Sequence, residues 1–187
     1  NRDLFCNCSK LTSVTFPTSS KFKTIERRAF YGCASLGGDL VIPKTVTQIG
    51  EYSFYECVGF KSLTLSDSLT TIGDYCFYCC SGLTGDLTIP NKVTQIGVYC
   101  FYRCNGFGSL KLGQDLTKIG DHSFCKCEKL SGSLVIPERV TDIGAFCFSG
   151  CAELTSLELN DALKNIGEGA FESCTKLNGV LVINDDI

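Results

Sequence analysis

The chain repeats one hydrophobic pattern seven times. In each copy an isoleucine is followed five residues later by phenylalanine, eight later by cysteine and eleven later by leucine or phenylalanine. Successive isoleucines lie 24 or 23 residues apart, and a fixed period of this length is typical of solenoids, in which each unit buries its apolar side against the next. We number each unit from its isoleucine, and these seven residues are Ile25, Ile49, Ile72, Ile96, Ile119, Ile143 and Ile166.

Each unit also contains a short alternating apolar run, such as Leu87 and Ile89. Alternation with period two predicts a strand with one buried face, and Pro90 ends the run because proline has no N–H for a strand ladder. A V/L-T-x-I-G segment follows, whose glycine allows a bend into a short turn that carries the phenylalanine and cysteine. The pattern predicts a repeat solenoid with a parallel sheet on one face and short helical or 3-10 turns on the other.

The repeats run through the whole chain without a linker. We therefore predict one domain over residues 1–187, a single solenoid of about eight coils of 23 or 24 residues, with the first and last coils incomplete. The longer units insert one residue before the strand. The incomplete outer repeats indicate a fragment of a longer protein.

The units resemble the BspA-like leucine-rich repeats, whose pattern is L-x-x-I-P-x-x-V-T-x-I-G-x-x-A-F-x-x-C. Residues 87–104 and 134–151 match this pattern nearly position for position, and the resemblance covers residues 4–183. Members of the family occur on the surfaces of bacteria and protozoan parasites and are regarded as adhesion or interaction modules without catalytic activity. The resemblance implies a leucine-rich-repeat-like right-handed coil, that is, a single leucine-rich repeat solenoid over residues 1–187. It also implies a cell-surface or secreted recognition module that binds a protein or glycan on another cell or in the matrix.

Composition and motifs argue against several other functions. The net charge is −3 and the basic residues are scattered, so the stripe of positive charge that binds nucleic acid is missing and we predict no nucleic-acid partner. No segment approaches the ~18 apolar residues of a membrane span, which predicts no membrane insertion in this segment. Enzyme motifs are missing, and the single histidine, His122, occupies a position where other units carry aromatic residues. We therefore predict no enzymatic activity, no catalytic residue and no cofactor.

Fourteen cysteines raise the question of disulfides or a metal. The repeat register assigns Cys8 and the seven cysteines at position eight to the core, and places Cys76, Cys100 and Cys147 at position four, where the other units have alanine or serine. Zinc needs four converging ligands, which this spacing does not supply, so we predict no metal and a reduced thiol column. A thiol-rich core also suits a reducing compartment, so a cytoplasmic scaffold is the alternative location. The cysteines at variable, outer positions are Cys6, Cys79 and Cys125.

Tyrosine is the one residue type whose placement exceeds what a solenoid needs. All the tyrosines lie at positions three and six of their units, an i, i+3 pair that we expect to point away from the core. They form either a self-stacking ladder or a contact surface, because tyrosine is enriched at protein interfaces. These candidate binding residues are Tyr31, Tyr52, Tyr55, Tyr75, Tyr78, Tyr99 and Tyr102.

The outward face of the predicted strands is the second candidate surface. Its residues are mostly small and β-branched, which strand propensity alone would also select. A rival function is structural: unpaired strand edges at the ends of a solenoid favour self-association into a filament or lattice. The candidate residues on this face are Thr64, Thr88, Lys111 and Glu158.

Overall fold

The structure, a computed structural model, describes residues 2–183 and contains thirteen short strands and no helix within that range. Two kinds of strand alternate, one of two residues at each unit's isoleucine and one of four or five residues at the alternating run. The strands are Thr24–Ile25 (β1), Gly38–Val41 (β2), Gln48–Ile49 (β3), Phe60–Thr64 (β4), Thr71–Ile72 (β5), Gly85–Thr88 (β6), Gln95–Ile96 (β7), Phe107–Lys111 (β8), Lys118–Ile119 (β9), Gly132–Val135 (β10), Asp142–Ile143 (β11), Leu154–Glu158 (β12) and Asn165–Ile166 (β13).

The two-residue strands form the one sheet that is continuous along the solenoid. Seven parallel strands pair in the order β1-β3-β5-β7-β9-β11-β13, so each coil pairs with the coil that follows it. Isoleucine lies opposite isoleucine in every pair, as for Ile72 and Ile96. The prediction of a solenoid with a parallel sheet is confirmed, although the continuous sheet lies at the isoleucines and not at the alternating runs.

The alternating runs form strands, but these pair only two by two. β2 pairs with β4, β6 with β8 and β10 with β12, all parallel. The register shifts after Gly38, Gly85 and Gly132, which have φ of 79° to 82°, because the inserted residue of the longer units makes a bulge there. The runs at 14–16 and 181–183 are not strands, so the strands expected in the first and last units were wrong.

Stacked identical residues fill the core. Phe54 lies parallel to Phe77 with ring centroids 5.4 Å apart, and the series continues at 5.2 to 5.5 Å from Phe30 to Phe171. Each parallel pair adds about 0.5–1.5 kcal/mol beyond the burial of its apolar area. The position-zero isoleucines line the same interior. The predicted apolar columns are therefore the core.

The segment that carries these phenylalanines is a series of tight turns, and the predicted helical or 3-10 turns do not form within residues 2–183. Tyr52 and Glu56, at positions three and seven of their unit, have φ of 56° and 55°, outside the range of a right-handed helix. The N–H groups of Tyr52 and Phe54 donate to carbonyls of the next coil, at 2.9 Å each. Because alternate N–H groups bond to the neighbouring coil, they are not available for helical bonds within their own coil.

The position-eight cysteines add a second ladder between coils. Each thiol donates to the carbonyl of the position-five phenylalanine in the preceding coil, with sulfur to oxygen distances of 3.0 to 3.3 Å. All fourteen cysteines are free. Two placements predicted from the sequence were wrong: Cys8 is exposed because no coil covers it, and Cys125 is buried at the end of a tyrosine column. The ladder consists of Cys33, Cys57, Cys80, Cys104, Cys127, Cys151 and Cys174.

Candidate binding surface

The tyrosines form two adjacent stacks, which we call the aromatic wall: Tyr31, Tyr52, Tyr55, Tyr75, Tyr78, Tyr99 and Tyr102. At position three the ring centroids are 4.7 and 5.0 Å apart, and at position six they are 4.6 to 4.8 Å apart. Tilted contacts of 5.4 to 6.4 Å join the two stacks. All seven rings are half-buried, so the structure brings together every tyrosine that the sequence singled out.

The position-three stack continues beyond the tyrosines. The His122 imidazole lies 4.4 Å from the Tyr99 ring and 5.2 Å from the Phe146 ring, nearly parallel to both. His122 is thus one more ring in an aromatic stack, placed where the sequence register put it. Our sequence reasoning ended the wall at residue 102 and missed this extension, although the aromatic side chains at the same position were a visible signal.

The wall exposes ring edges and hydroxyl groups, and hardly any ring face. Stacked neighbours cover both faces of Tyr55 and Tyr78, with interplanar angles of 3° to 16°. At the ends of the position-six stack, the Arg28 guanidinium lies 4.7 Å from the Tyr31 centroid and the Arg103 guanidinium 5.6 Å from that of Tyr102. A partner can therefore reach edges and hydroxyls, while stacking on a ring face is obstructed.

Position three requires a backbone conformation that tyrosine rarely adopts. Tyr52, Tyr75 and Tyr99 have φ of 54° to 56°, and the left-handed conformation costs about 1–2 kcal/mol for a residue with a Cβ. Gly169 occupies the same position in the last coil with φ of 60°. The fold therefore accepts glycine here, and ring stacking must offset the cost of a tyrosine.

The hydroxyls of Tyr55, Tyr75 and Tyr78 are protonated donors. Burial raises the pKa of Tyr55, and the nearby Glu56 carboxylate raises it further. Burial is also the main cause of the raised pKa of Tyr75 and of Tyr78. Among residues 2–183, no hydrogen-bond partner contacts the hydroxyls of the position-three tyrosines. These hydroxyls are therefore free to bind a partner.

A groove of about 580 Å³, which we call the wall groove, lies beside the position-six stack. Arg103 and Lys126 line it from adjacent coils, and neither forms an ion pair within the described part of the chain. Arg27 and Arg28, at the other end of the wall, pair with acidic side chains at 3.3 and 3.4 Å. The groove is lined by Glu56, Val58, Cys79, Ser81, Arg103, Asn105, Lys126 and Glu128.

A second groove, of about 600 Å³, follows the seven-stranded sheet, and no pattern in our sequence reasoning pointed to it as a site. Glycines form its floor. A Cβ on Gly50, Gly73 or Gly97 would lie 2.6 to 2.7 Å from backbone atoms of the preceding coil, so close stacking explains these residues. The polar side chains of Gln48 and Gln95 line the groove, which contains no aromatic residue.

The strand face is exposed but does not converge on one site. Thr88 and Lys111 lie opposite each other in β6 and β8, whereas Thr64 and Glu158 belong to separate strand pairs. Side-chain bonds link the paired strands on this face, as in the bond of 2.6 Å from the Ser62 hydroxyl to a carboxylate oxygen in β2. Its four candidate side chains share no cavity within residues 2–183.

Residues 2–183 contain no cluster of three or more histidine, cysteine or acidic side chains that could hold a metal ion. No helix in that range is long and apolar enough to cross a membrane.

Comparison with known proteins identifies the repeat. A family model described as a BspA type leucine rich repeat region, in six copies, matches residues 1–131 and 95–185. No curated protein matches the chain significantly. A T. pallidum leucine-rich repeat protein (TpLRR) superposes with a TM-score of 0.81 at 28% identity, covering 90% of this chain and 79% of its own.

Two other solved structures are longer than this chain. A leucine-rich repeat protein from Bacteroides ovatus has a TM-score of 0.70 at 29% identity, covering 92% of this chain and 49% of its own. One from Eubacterium ventriosum shares the fold, with a TM-score of 0.60 at 21% identity, covering 88% of this chain and 52% of its own. The chain therefore spans about half the length of these two proteins. Its repeats, its core columns and the matching family model show that the chain belongs to the BspA-type leucine-rich repeat family.

Proposed function

We propose that the chain is a non-catalytic recognition module that binds its partner through the aromatic wall. The observation that carries this proposal is a row of stacked tyrosines at position three, with hydroxyls that no described residue engages. Positive φ recurs at position three in every coil from Arg28 to Gly169, so it belongs to the turn of the repeat. The tyrosines occur in three of these coils and combine contact area, few rotatable bonds and a hydroxyl. The strand face is the second choice because its four candidate residues do not converge.

The wall is tested by removing rings without adding strain. Asparagine tolerates a positive φ, so Tyr52→Asn/Tyr75→Asn/Tyr99→Asn should retain the fold. A matched control, Thr64→Ala/Thr88→Ala/Lys111→Ala, alters the strand face by the same number of substitutions. Both variants and the unaltered chain are applied to arrays of extracellular proteins and glycans, with circular dichroism to check folding.

The wall variant should lose array binding by about tenfold or more, as expected when central tyrosines are removed from an interface, while the control binds as the unaltered chain does. If the folded wall variant binds as tightly as the unaltered chain, the proposal is rejected. If only the strand-face control loses binding, the site lies on the strand face. Light scattering over a wide concentration range is measured first. A molar mass that climbs with concentration would favour the rival function of self-assembly.

We further propose that the module is located at the cell surface or secreted, which its membership of the BspA-type family supports. The alternative, a cytoplasmic scaffold, has support from fourteen free cysteines. Counting reactive thiols in natively isolated protein separates the two. Loss of reactive thiol at the accessible Cys6, Cys8 and Cys79 to disulfides would favour the oxidising exterior, whereas a full set of reduced cysteines would favour the cytoplasm.

A further inference from the structure

We infer that the partner of the aromatic wall is a protein segment rich in carboxylates, and not a glycan. This inference rests on the proposed binding function of the wall and deepens it by naming the partner's chemistry. Three features support it: the covered ring faces, the donor character of the exposed edges, and the unpaired cations beside the wall.

The covered faces argue against sugars. A sugar ring packs its C–H groups onto the electron-rich face of an aromatic ring. In the wall those faces are covered by other tyrosines at 4.6 to 5.0 Å, and Arg28 and Arg103 lie over the two end rings of the position-six stack. The wall therefore offers no open platform for a sugar.

The exposed edges favour acceptor groups. The rim of an aromatic ring carries partial positive charge, and a protonated phenol donates a hydrogen bond. A tyrosine hydroxyl is protonated at neutral pH, and burial raises the pKa of Tyr55, Tyr75 and Tyr78 further. Carboxylate and backbone carbonyl oxygens are the protein groups that accept from such a surface, and both occur on an acidic peptide segment.

The charges around the wall favour the same partner. Glu51 is paired with Arg27 at 3.3 Å, and Asp74 and Asp121 each accept a hydrogen bond from a backbone N–H of the next coil, at 2.8 and 2.9 Å. Arg103 and Lys126 line the wall groove from adjacent coils without an ion-pair partner among the described residues. Glu128 lines the groove from the same coil as Lys126, whereas the coil of Arg103 adds no carboxylate to the lining, so Arg103 is the cation that complements a partner's carboxylates.

Glu56, at the opposite end of the wall groove, is exposed and unpaired within residues 2–183. An acidic segment would be repelled by this carboxylate while being attracted by Arg103 and Lys126. The inference therefore predicts opposite effects for charge removal at the two ends. General loss of structure would weaken binding in both cases and could not reproduce this result.

The experiment selects peptides from a random phage library on the full chain. Peptides that also bind the folded Tyr52→Asn/Tyr75→Asn/Tyr99→Asn variant are discarded, which leaves the wall-dependent ones. We expect these peptides to be enriched in aspartate and glutamate. Their affinities are then measured by fluorescence anisotropy at low and at physiological salt, because attraction between exposed charges weakens as salt rises.

Three single variants are compared with the unaltered chain. Arg103→Gln should weaken binding of the selected peptides by about fivefold, and Glu56→Gln should strengthen it by about twofold, as expected for exposed charges at an interface rim. The matched control is Arg139→Gln, whose guanidinium pairs with Asp115 at 2.9 Å away from the wall, and it should leave affinity unchanged.

The outcomes separate this inference from the proposed function. If wall-dependent peptides are enriched but are neutral or basic, or if Arg103→Gln does not lower their affinity, the inference is overturned while the wall remains a binding site. If every enriched peptide also binds the wall variant, or none is enriched, both are overturned. Acidic peptides that respond oppositely to Arg103→Gln and Glu56→Gln would establish the partner's chemistry.

Discussion

At the scale of single residues, a tyrosine at position three is destabilised by its left-handed backbone and stabilised by ring stacking. Tyr75 has φ of 54° and its ring lies 4.7 and 5.0 Å from the rings of Tyr52 and Tyr99. Two stacking contacts of about 0.5–1.5 kcal/mol each are comparable to a left-handed backbone cost of about 1–2 kcal/mol. Stability alone therefore gives little reason for tyrosine at this position over a residue suited to positive φ.

Because strain and stacking are comparable in size, the cost of replacing Tyr75 should depend on whether the new residue tolerates a positive φ, as well as on the loss of the ring. Tyr75→Ala loses both stacking contacts and keeps the strain, so it should lower the free energy of unfolding by about 2–3 kcal/mol. Tyr75→Asn loses the same contacts but relieves the strain, and should cost only about 1 kcal/mol. Urea unfolding of both variants measures the difference. Equal costs would show that position three is not strained.

The two buried cysteine positions have different hydrogen-bonding surroundings. Cys104, at position eight, has one acceptor, the Phe77 carbonyl, 3.0 Å from its sulfur. At position four, where Cys100 lies, serine is already present in another coil: the Ser123 hydroxyl donates to two glycine carbonyls at 2.6 and 2.9 Å. Position four accepts a hydroxyl, whereas position eight carries cysteine in every coil.

Serine substitution should therefore separate the two positions. We expect Cys100→Ser to change the free energy of unfolding by less than about 1 kcal/mol, because its hydroxyl finds glycine carbonyls. Cys104→Ser should cost about 2–3 kcal/mol, since the shorter C–O bond leaves a buried hydroxyl too far from its acceptor. Urea unfolding in reductant measures both, with circular dichroism as a folding control. A larger cost for Cys100→Ser would contradict this assignment.

At the scale of the coil, glycines serve two different purposes. Gly97 closes the bend after β7, and a Cβ there would lie 2.7 Å from backbone atoms of the preceding coil. Gly85 begins β6 with φ of 82°, and a Cβ there would meet nothing within 4 Å. Gly97 has no side chain and so allows two backbones to approach each other, whereas Gly85 adopts the positive φ that the bulge requires.

Alanine at these two positions tests the distinction. Gly97→Ala should cost more than about 3 kcal/mol, or prevent folding, because neither backbone can move without disturbing both coils. Gly85→Ala should cost about 1–2 kcal/mol, the cost of a left-handed residue with a Cβ. Thermal unfolding distinguishes them, and the soluble Gly85→Ala variant serves as the control if Gly97→Ala does not fold. Similar unfolding temperatures would contradict the close approach at Gly97.

The sequence predicted the solenoid and its core because burial leaves a periodic signal. It did not predict the turns, since positions four, five and eight are buried equally by a helical turn and by the observed turns. The available signs of a positive φ were Gly32 and Gly150, at position seven in two coils, and Gly169, at position three in one coil. Pairing of the longer strands was also missed, because a side-chain pattern identifies a strand and not its partner.

The aromatic wall could be predicted as two columns of residues, but its accessible surface could not. Knowing that Tyr55 and Tyr78 share a column does not show whether their rings cover one another. That depends on the coil spacing and the side-chain conformation, which give the observed 4.7 Å stack. The position of Arg103 over the Tyr102 ring could likewise not be predicted from the spacing alone, because arginine occurs at position seven in only one unit.

At the scale of the whole molecule, neighbouring coils hold one another together along the solenoid. Backbone bonds, stacked phenylalanines and thiol-to-carbonyl bonds all join one coil to the next. Stability in such proteins is close to a sum over coils and the contacts between neighbours. Any condition that weakens one column therefore acts on every coil at once.

High pH is such a condition, because ionised thiols cannot remain in the core. Burial raises the pKa of Cys76, Cys80, Cys104, Cys147 and Cys151 well above the ordinary value. An unfolded chain loses these protons near about pH 8.5, whereas the folded chain retains them. Between these two values the unfolded state binds fewer protons, so the free energy of unfolding falls as pH rises, by about 1.4 kcal/mol per pH unit for each thiol.

We therefore expect stability to be independent of thiol ionisation below about pH 8 and to fall steeply above about pH 9. Urea unfolding in excess reductant at a series of pH values measures the slope. The variant Cys76→Ala/Cys100→Ala/Cys147→Ala, which takes the alanine of Ala29 and Ala170 at position four, removes three of the thiols and should show a shallower slope. Parallel slopes for the variant and the unaltered chain would mean that ionisation of other groups drives alkaline unfolding, and that the buried thiols do not control it.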